Sequence, residues 1–221
     1  MNTKIYALII ASVLIFSGCN QTQKTVDEQA GKNESTVKNE TIDPLNPNLA
    51  STDELKKYLD SDLVEAVVMV RPFISPSEYI DVLSTKLSDQ ELKEVCQYVF
   101  LPINLNTADK REMLLVPGVG EKMAHEFDEY RPYRSIAQFR REIGKYVSEE
   151  QVATYEKYVF VPVDLNSASK EEILSIPGVG KKMLHEFEEY RPYTSIEQFR
   201  REIGKYVDEN ELKRLERYVT L

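Results

Sequence analysis

This sequence contains an internal repeat with a period of about 60 residues, which limits it to folds built from copies of one unit. The segment from Gln138 to Val147 is QFRREIGKYV, and the same residues return from Gln198 to Val207. The tetrapeptide Pro-Gly-Val-Gly likewise occurs at 117–120 and again at 177–180. A degenerate copy comes first, because Arg71-Pro72-Phe73 aligns with the later Arg-Pro-Tyr triplets at the same offset. The folded part is therefore expected to contain three related units.

Each copy has the pattern of short helices separated by breaks. A capping box, in which Ser or Asp precedes Glu by three residues, marks the start of the first helix in every unit. The boxes are Ser51 with Glu54, Asp109 with Glu112, and Ser169 with Glu172. After the glycine turn, a second helix places Met123, Phe127 and Tyr130 on one face and ends before Pro132. Two further helices, divided by Gly144, complete the unit. No segment has the sustained alternation of a strand, so the sequence predicts an all-α fold.

The repeat also sets the expected domain boundaries. We predict a degenerate helical unit at 48–102, followed by two clearer units at 103–162 and 163–221. Pro102 and Pro162 end the first two blocks and make the joints between units short.

The Gly-Val-Gly turns carry the chemistry that this sequence offers. Glycines permit positive φ and leave the backbone N–H groups exposed where the next helix begins. Those groups have no partner within the helix and lie at the positive end of its dipole, which suits a phosphate. Val119 and Val179 are expected to point back between the helices. Lysines follow at Lys122 in one unit and at Lys181 and Lys182 in the other, within reach of a neighbouring phosphate.

The residues around these turns resemble those of a known family. Asn-Leu-Asn-Thr-Ala-Asp at 104–109 and Asp-Leu-Asn-Ser-Ala-Ser at 164–169 each precede a Leu-x-x-Pro-Gly-Val-Gly segment. This pattern is similar to the helix-hairpin-helix family, and most like ComEA-type competence DNA receptor domains. The resemblance implies tandem helix-hairpin-helix units of about 60 residues each, with second hairpins at Gly144 and Gly204.

The same resemblance implies binding of duplex DNA through its sugar-phosphate backbone, without reading of sequence, and a possible role in DNA uptake. The expected contact residues are Gly118, Val119, Gly120, Lys122, Gly178, Val179, Gly180, Lys181 and Lys182. The degenerate unit has Leu59-Asp60-Ser61-Asp62 where the later units have the glycines and lysine, so we do not expect it to bind DNA.

Charge leaves a second interpretation open. The net charge is -9, whereas nucleic-acid binders are usually basic. Lys and Arg number five against ten Asp and Glu in 48–102, nine against ten in 103–160, and ten against twelve in 163–221. DNA binding would therefore be weak and salt-sensitive, resting on small cationic spots. The alternative is a lipid-tethered protein-docking or scaffold module of the cell envelope that binds no nucleic acid.

The N-terminus has the pattern of a bacterial lipoprotein signal. A basic start is followed by an apolar run from Ile5 to Phe16 and then by Ser-Gly-Cys, so residues 1–18 are expected to be removed and Cys19 lipidated. An ordinary secretory signal would instead leave Cys19 and Cys96 free to pair. Residues 19–47 are expected to be a flexible, lipid-anchored linker. Asn20 is not the Asp that retains such proteins at the inner membrane in the Gram-negative pattern, which favours the outer membrane.

The sequence shows no catalytic apparatus. It contains no nucleophile–base pair, no Walker loop and no carboxylate cluster, so we expect a non-enzyme without a cofactor. His125 and His185 each lie in His-Glu-Phe with no second histidine one turn away, and the two cysteines lack zinc-site spacing. No metal site is therefore predicted.

Overall fold

A computed structural model describes residues 43–221. The predicted signal peptide, Cys19 and most of the predicted linker lie outside the described residues. Residues 43–221 form twelve helices and four very short strands, in which one order of four helices occurs three times. We call 43–102 repeat 1, 103–162 repeat 2 and 163–221 repeat 3. The mostly helical character confirms the predicted all-α class.

The helix bounds repeat with the sequence. In repeat 1, α1 to α4 are Thr52–Leu55, Ser61–Val70, Pro76–Ser84 and Asp89–Val95. In repeat 2, α5 to α8 are Lys110–Met113, Glu121–Glu129, Ile136–Ile143 and Glu149–Glu156. In repeat 3, α9 to α12 are Lys170–Leu174, Lys181–Glu189, Ile196–Ile203 and Glu209–Glu216. The three predicted capping boxes are all present at the starts of α1, α5 and α9.

Short parallel pairings join the start of each repeat to its end. Strands β1 (Ile103–Asn104) and β2 (Val159–Phe160) pair within repeat 2, and β3 (Val163–Asp164) and β4 (Val219–Thr220) pair within repeat 3. Repeat 1 has a single bridge between Leu45 and Val99 at the corresponding place. The strands are two residues long, too short to show the alternation by which a strand is recognised in sequence.

The bridge also shows where the folded chain begins. The Leu45 N–H donates to the Tyr98 carbonyl at 2.7 Å, and the Phe100 N–H donates to the Leu45 carbonyl at 2.9 Å. Pro47 is buried. Packing against repeat 1 therefore starts inside the segment expected to be linker, which was placed at 19–47 because it has few large apolar residues.

The buried side chains form two hydrophobic cores. One runs through repeats 1 and 2 without a break, and the other belongs to repeat 3. In repeat 2, the Phe127 ring meets Phe139 and Tyr155 edge to face, at centroid distances of 5.1 and 5.5 Å. In repeat 3, Phe187 and Phe199 meet in the same way at 5.3 Å. The first two repeats are therefore one packing unit.

Repeat 3 contacts the other repeats through an aromatic pair and a hydrogen bond. Phe160 at the end of repeat 2 packs on Tyr218 with ring centroids 4.4 Å apart. Arg217 lies over both rings and donates to the Pro102 carbonyl at 2.8 Å.

Cys96, a free thiol in the shared core, is 1% exposed, and burial raises its pKa to about 12. Across residues 43–221, every helix is too short or too polar to span a bilayer.

Candidate anion-binding hairpins

The two Pro-Gly-Val-Gly segments form turns of nearly identical geometry. Gly118 and Gly178 have φ of 82° and 81°, in the left-handed region that favours glycine. Inside each turn the valine N–H donates to a carbonyl three residues earlier at 3.0 Å, from Val119 to Val116 and from Val179 to Ile176. Both valines are 8% exposed and belong to the cores, as their sequence position predicts.

The second glycine of each turn is where the structure departs from ordinary helix starts. Ten of the twelve helices in residues 43–221 begin with a Ser or Asp whose side chain accepts a backbone N–H bond. Helices α6 and α10 begin at Gly120 and Gly180, with no side-chain cap. Their first N–H groups are therefore left to water or a ligand, at the positive end of the helix dipole.

Positive φ is not the reason for this second glycine. Gly120 has φ of -102° and Gly180 of -104°, which other residues adopt readily, so only the first glycine of each turn uses left-handed freedom. A Cβ atom built on either residue would meet nothing within 4 Å. The second glycine thus leaves the helix start open.

In repeats 2 and 3, a side chain of the closing helix donates a hydrogen bond to a carbonyl of the glycine turn. The sequence did not predict this contact. In repeat 2, the Tyr155 hydroxyl donates to the Gly118 carbonyl at 3.0 Å. In repeat 3, the Arg214 guanidinium donates to the Pro177 carbonyl at 2.6 Å and is paired with Glu211 at 2.6 Å. Arg214 is only 2% exposed. In both repeats, a carbonyl of the turn therefore accepts a hydrogen bond from the closing helix. The donors differ in residue type and come from neighbouring, non-equivalent positions of that helix.

Charge differs between the two hairpins. Lys122, Lys181 and Lys182 are exposed and make no ion pair within residues 43–221. At the first position of α6, however, stands Glu121, which is paired with Lys110. The corresponding residue of α10 is Lys181. The repeat 3 hairpin therefore presents two lysines and no carboxylate in the first turn of its helix, beside an open depression of about 780 Å³ that Glu186 and Tyr206 also line.

Repeat 1 fills the corresponding position with its own anion. Helix α2 starts at Asp60, whose carboxylate accepts the Leu63 N–H at 2.8 Å. A carboxylate at this point uses the donor and the dipole that a phosphate would need. Repeat 1 thus lacks the open helix start of the other two.

The glycines expected to form second hairpins have a different structure. Gly144 and Gly204 both have φ of -60° and end α7 and α11 in helical conformation. A Cβ on Gly144 would lie 2.7 Å from the Arg140 carbonyl, so close backbone approach requires the glycine. The helices that follow are capped by Ser148 and Asp208. These turns therefore lack the uncapped helix start found at Gly120 and Gly180.

Neither histidine belongs to a cluster of ligands. The His125 Nε2 atom lies 3.7 Å from Glu129, and His185 Nε2 lies 3.5 Å from Glu189, all on exposed helix faces. In the described part of the chain, no group of three His, Cys, Asp or Glu is placed to hold a metal ion.

Comparison of the chain with family models, curated proteins and solved structures gave no match.

Proposed function

We propose that this chain is a non-catalytic protein of the bacterial envelope that binds duplex DNA without sequence preference. In this proposal, repeats 2 and 3 are tandem helix-hairpin-helix units, each offering one hairpin to a phosphate. One observation carries the proposal: within residues 43–221, the two helices that lack a side-chain cap are those that follow Gly-Val-Gly turns, and exposed lysines stand in their first turn.

The chemistry of these sites suits a phosphate backbone. Backbone N–H groups recognise phosphate oxygens whatever the base sequence, and lysine adds charge without geometric selectivity. Two such hairpins on one chain can engage one duplex, and each adds to the affinity of the other. The surrounding acidic surface opposes the approach of DNA, so the affinity is expected to be low and to fall steeply with salt.

Binding of the full-length protein to duplexes of unrelated sequence, titrated at two salt concentrations, tests the proposal. Lys181→Ala with Lys182→Ala should weaken binding to all duplexes alike. The slope of log affinity against log salt should become shallower by about one to two units, because one or two phosphate contacts are lost. Lys122→Ala should have a smaller effect, since Glu121 and Lys110 already pair beside that hairpin.

Two results would exclude this function. One is a parent protein that binds no duplex at low salt, and the other is a double lysine variant with unchanged affinity and salt slope. Lys56→Ala with Lys57→Ala is a matched control, because these lysines are adjacent and exposed like Lys181 and Lys182 but lie in repeat 1. It removes the same two charges without removing a residue of the proposed site.

The envelope location is part of the proposal and rests on the sequence of the N-terminus. We infer that Cys19 is lipidated and holds the repeats to a membrane, with the outer membrane favoured by Asn20. The intact protein should then take up labelled fatty acid and fractionate with membranes, whereas Cys19→Ser should do neither. A Cys19→Ser variant that stays with the membrane, together with a parent that takes up no fatty acid, would contradict this.

A further inference from the structure

Helix α2 of repeat 1 ends in three exposed apolar side chains. Val68, Met69 and Val70 are 41%, 78% and 47% exposed, and we call these three residues the apolar end of α2. Exposed Ile74 follows them. The aligned residues at 128–130 are Asp-Glu-Tyr, and those at 188–190 are Glu-Glu-Tyr. The same place in the fold is thus acidic in the later repeats and apolar in repeat 1.

Folding of repeat 1 does not require these apolar groups. The inward face of α2 is formed by Leu63, Val64 and Val67, which are 1%, 3% and 0% exposed. Repeats 2 and 3 form the corresponding helices, α6 and α10, with carboxylates at the positions of Val68 and Met69. Leaving a methionine side chain largely in water forgoes burial energy, so an exposed apolar group of this kind is typical of an interaction site.

The surroundings of the apolar end are acidic. Glu65 lies one turn earlier on α2, is exposed, and makes no ion pair within the described residues. Of the basic residues in repeat 1, Lys86 pairs with Asp62 and Lys56 with Asp53, whereas Arg71, directly after the apolar end, is half-buried and makes no ion pair within residues 43–221. With ten acidic and five basic residues in 48–102, this is the most negative of the three repeats.

We propose that the apolar end of α2 docks a basic amphipathic segment of a partner protein. Apolar side chains of the segment would cover Met69 and its neighbours, while its lysines or arginines would face Glu65. The negative charge argues against DNA and against an anionic membrane surface, both of which it repels. A second copy would bring two acidic repeats together, and these repel each other.

The repeats themselves supply the test variant. Val68→Asp, Met69→Glu and Val70→Tyr together place the residues of repeat 2 on α2, at positions where the fold already accepts them. The probes are two helical peptides of about 18 residues, one with a leucine face and a lysine face, the other with leucine and glutamate. We expect the full-length parent to bind the lysine peptide about tenfold or more tightly than the grafted variant does, and not to bind the glutamate peptide.

This graft separates docking from general attraction of charges. It makes the protein two charges more acidic, so unspecific electrostatics predicts tighter binding of the lysine peptide, whereas docking predicts weaker binding. Met69→Ser changes one largely exposed side chain, so it tests the same contact even where the graft disturbs folding, and it should also weaken binding of the lysine peptide. Equal or tighter binding by both variants would overturn the proposal. So would a parent that sediments as a dimer, or that binds vesicles of anionic phospholipid, where the grafted variant does not.

Discussion

Gly178 and Gly180 are two residues apart, yet only Gly178 requires the conformational freedom of glycine. Its φ of 81° would strain any other residue, and its Cβ would lie 2.9 Å from the Arg214 guanidinium. Gly180 has extended backbone and open space where a Cβ would lie. At the residue scale, one glycine shapes the turn and the other leaves the helix start accessible.

This difference predicts opposite behaviour for two valine substitutions. Gly180→Val should retain the fold, at a cost of about 0.5–1 kcal/mol for a poorer helix start, but should weaken DNA binding because its side chain obstructs the approach of phosphate. Gly178→Val should destabilise repeat 3 by about 1–3 kcal/mol through backbone strain. Circular dichroism melts and duplex titrations measure the two effects. A Gly180→Val protein that binds duplex as the parent does would show that the backbone makes no contact there.

Among the helices, the residue at the N-cap decides what a helix N-terminus can bind. Asp60 gives α2 an internal anion, whereas Gly180 leaves α10 open. Asp62 and Lys182 occupy the same position in these two helices, the second residue after the cap. The two starts therefore form a natural comparison within one molecule.

A photoreactive amino acid at each of these positions should report the difference. We expect a residue at 182 to cross-link to bound duplex and a residue at 62 to give no DNA cross-link, because the Asp60 carboxylate accepts the Leu63 N–H of α2 and repels phosphate. Both variants are made in the full-length protein, since repeats 1 and 2 share a core. Comparable cross-linking from both positions would mean that repeat 1 takes part in DNA binding and that the phosphate argument is wrong.

The elements also show how far the sequence could predict this structure. Helix starts, capping boxes and the buried turn valines depend on residues within one turn of each other, and they were predictable. The links from Tyr155 to Gly118 and from Arg214 to Pro177 were not, because each joins residues 37 positions apart. The aligned residues also differ: Leu215 corresponds to Tyr155, and Thr154 to Arg214. Repetition gave no signal for a contact that the two repeats make with different side chains.

The buried side chains of the three repeats form two hydrophobic cores rather than three. Repeats 1 and 2 bury one continuous core, which includes Phe139, whereas the core around Phe199 belongs to repeat 3. The sequence shows three copies of one pattern and cannot show where their buried faces merge, because that depends on contacts between repeats. Arg217 and Phe160 nevertheless connect repeat 3 to the others.

Phe139 and Phe199 test this arrangement, because each is fully buried within an identical ten-residue segment. Replacing either with Ala should cost about 3–5 kcal/mol of local stability. Phe139→Ala should lower hydrogen-exchange protection from α1 to α8, since its core extends through repeat 1, whereas Phe199→Ala should lower it mainly from α9 to α12. Loss confined to repeat 2 in the first variant would contradict a shared core. Loss throughout the chain in the second would mean that Arg217 and Phe160 couple repeat 3 so strongly that both cores unfold together.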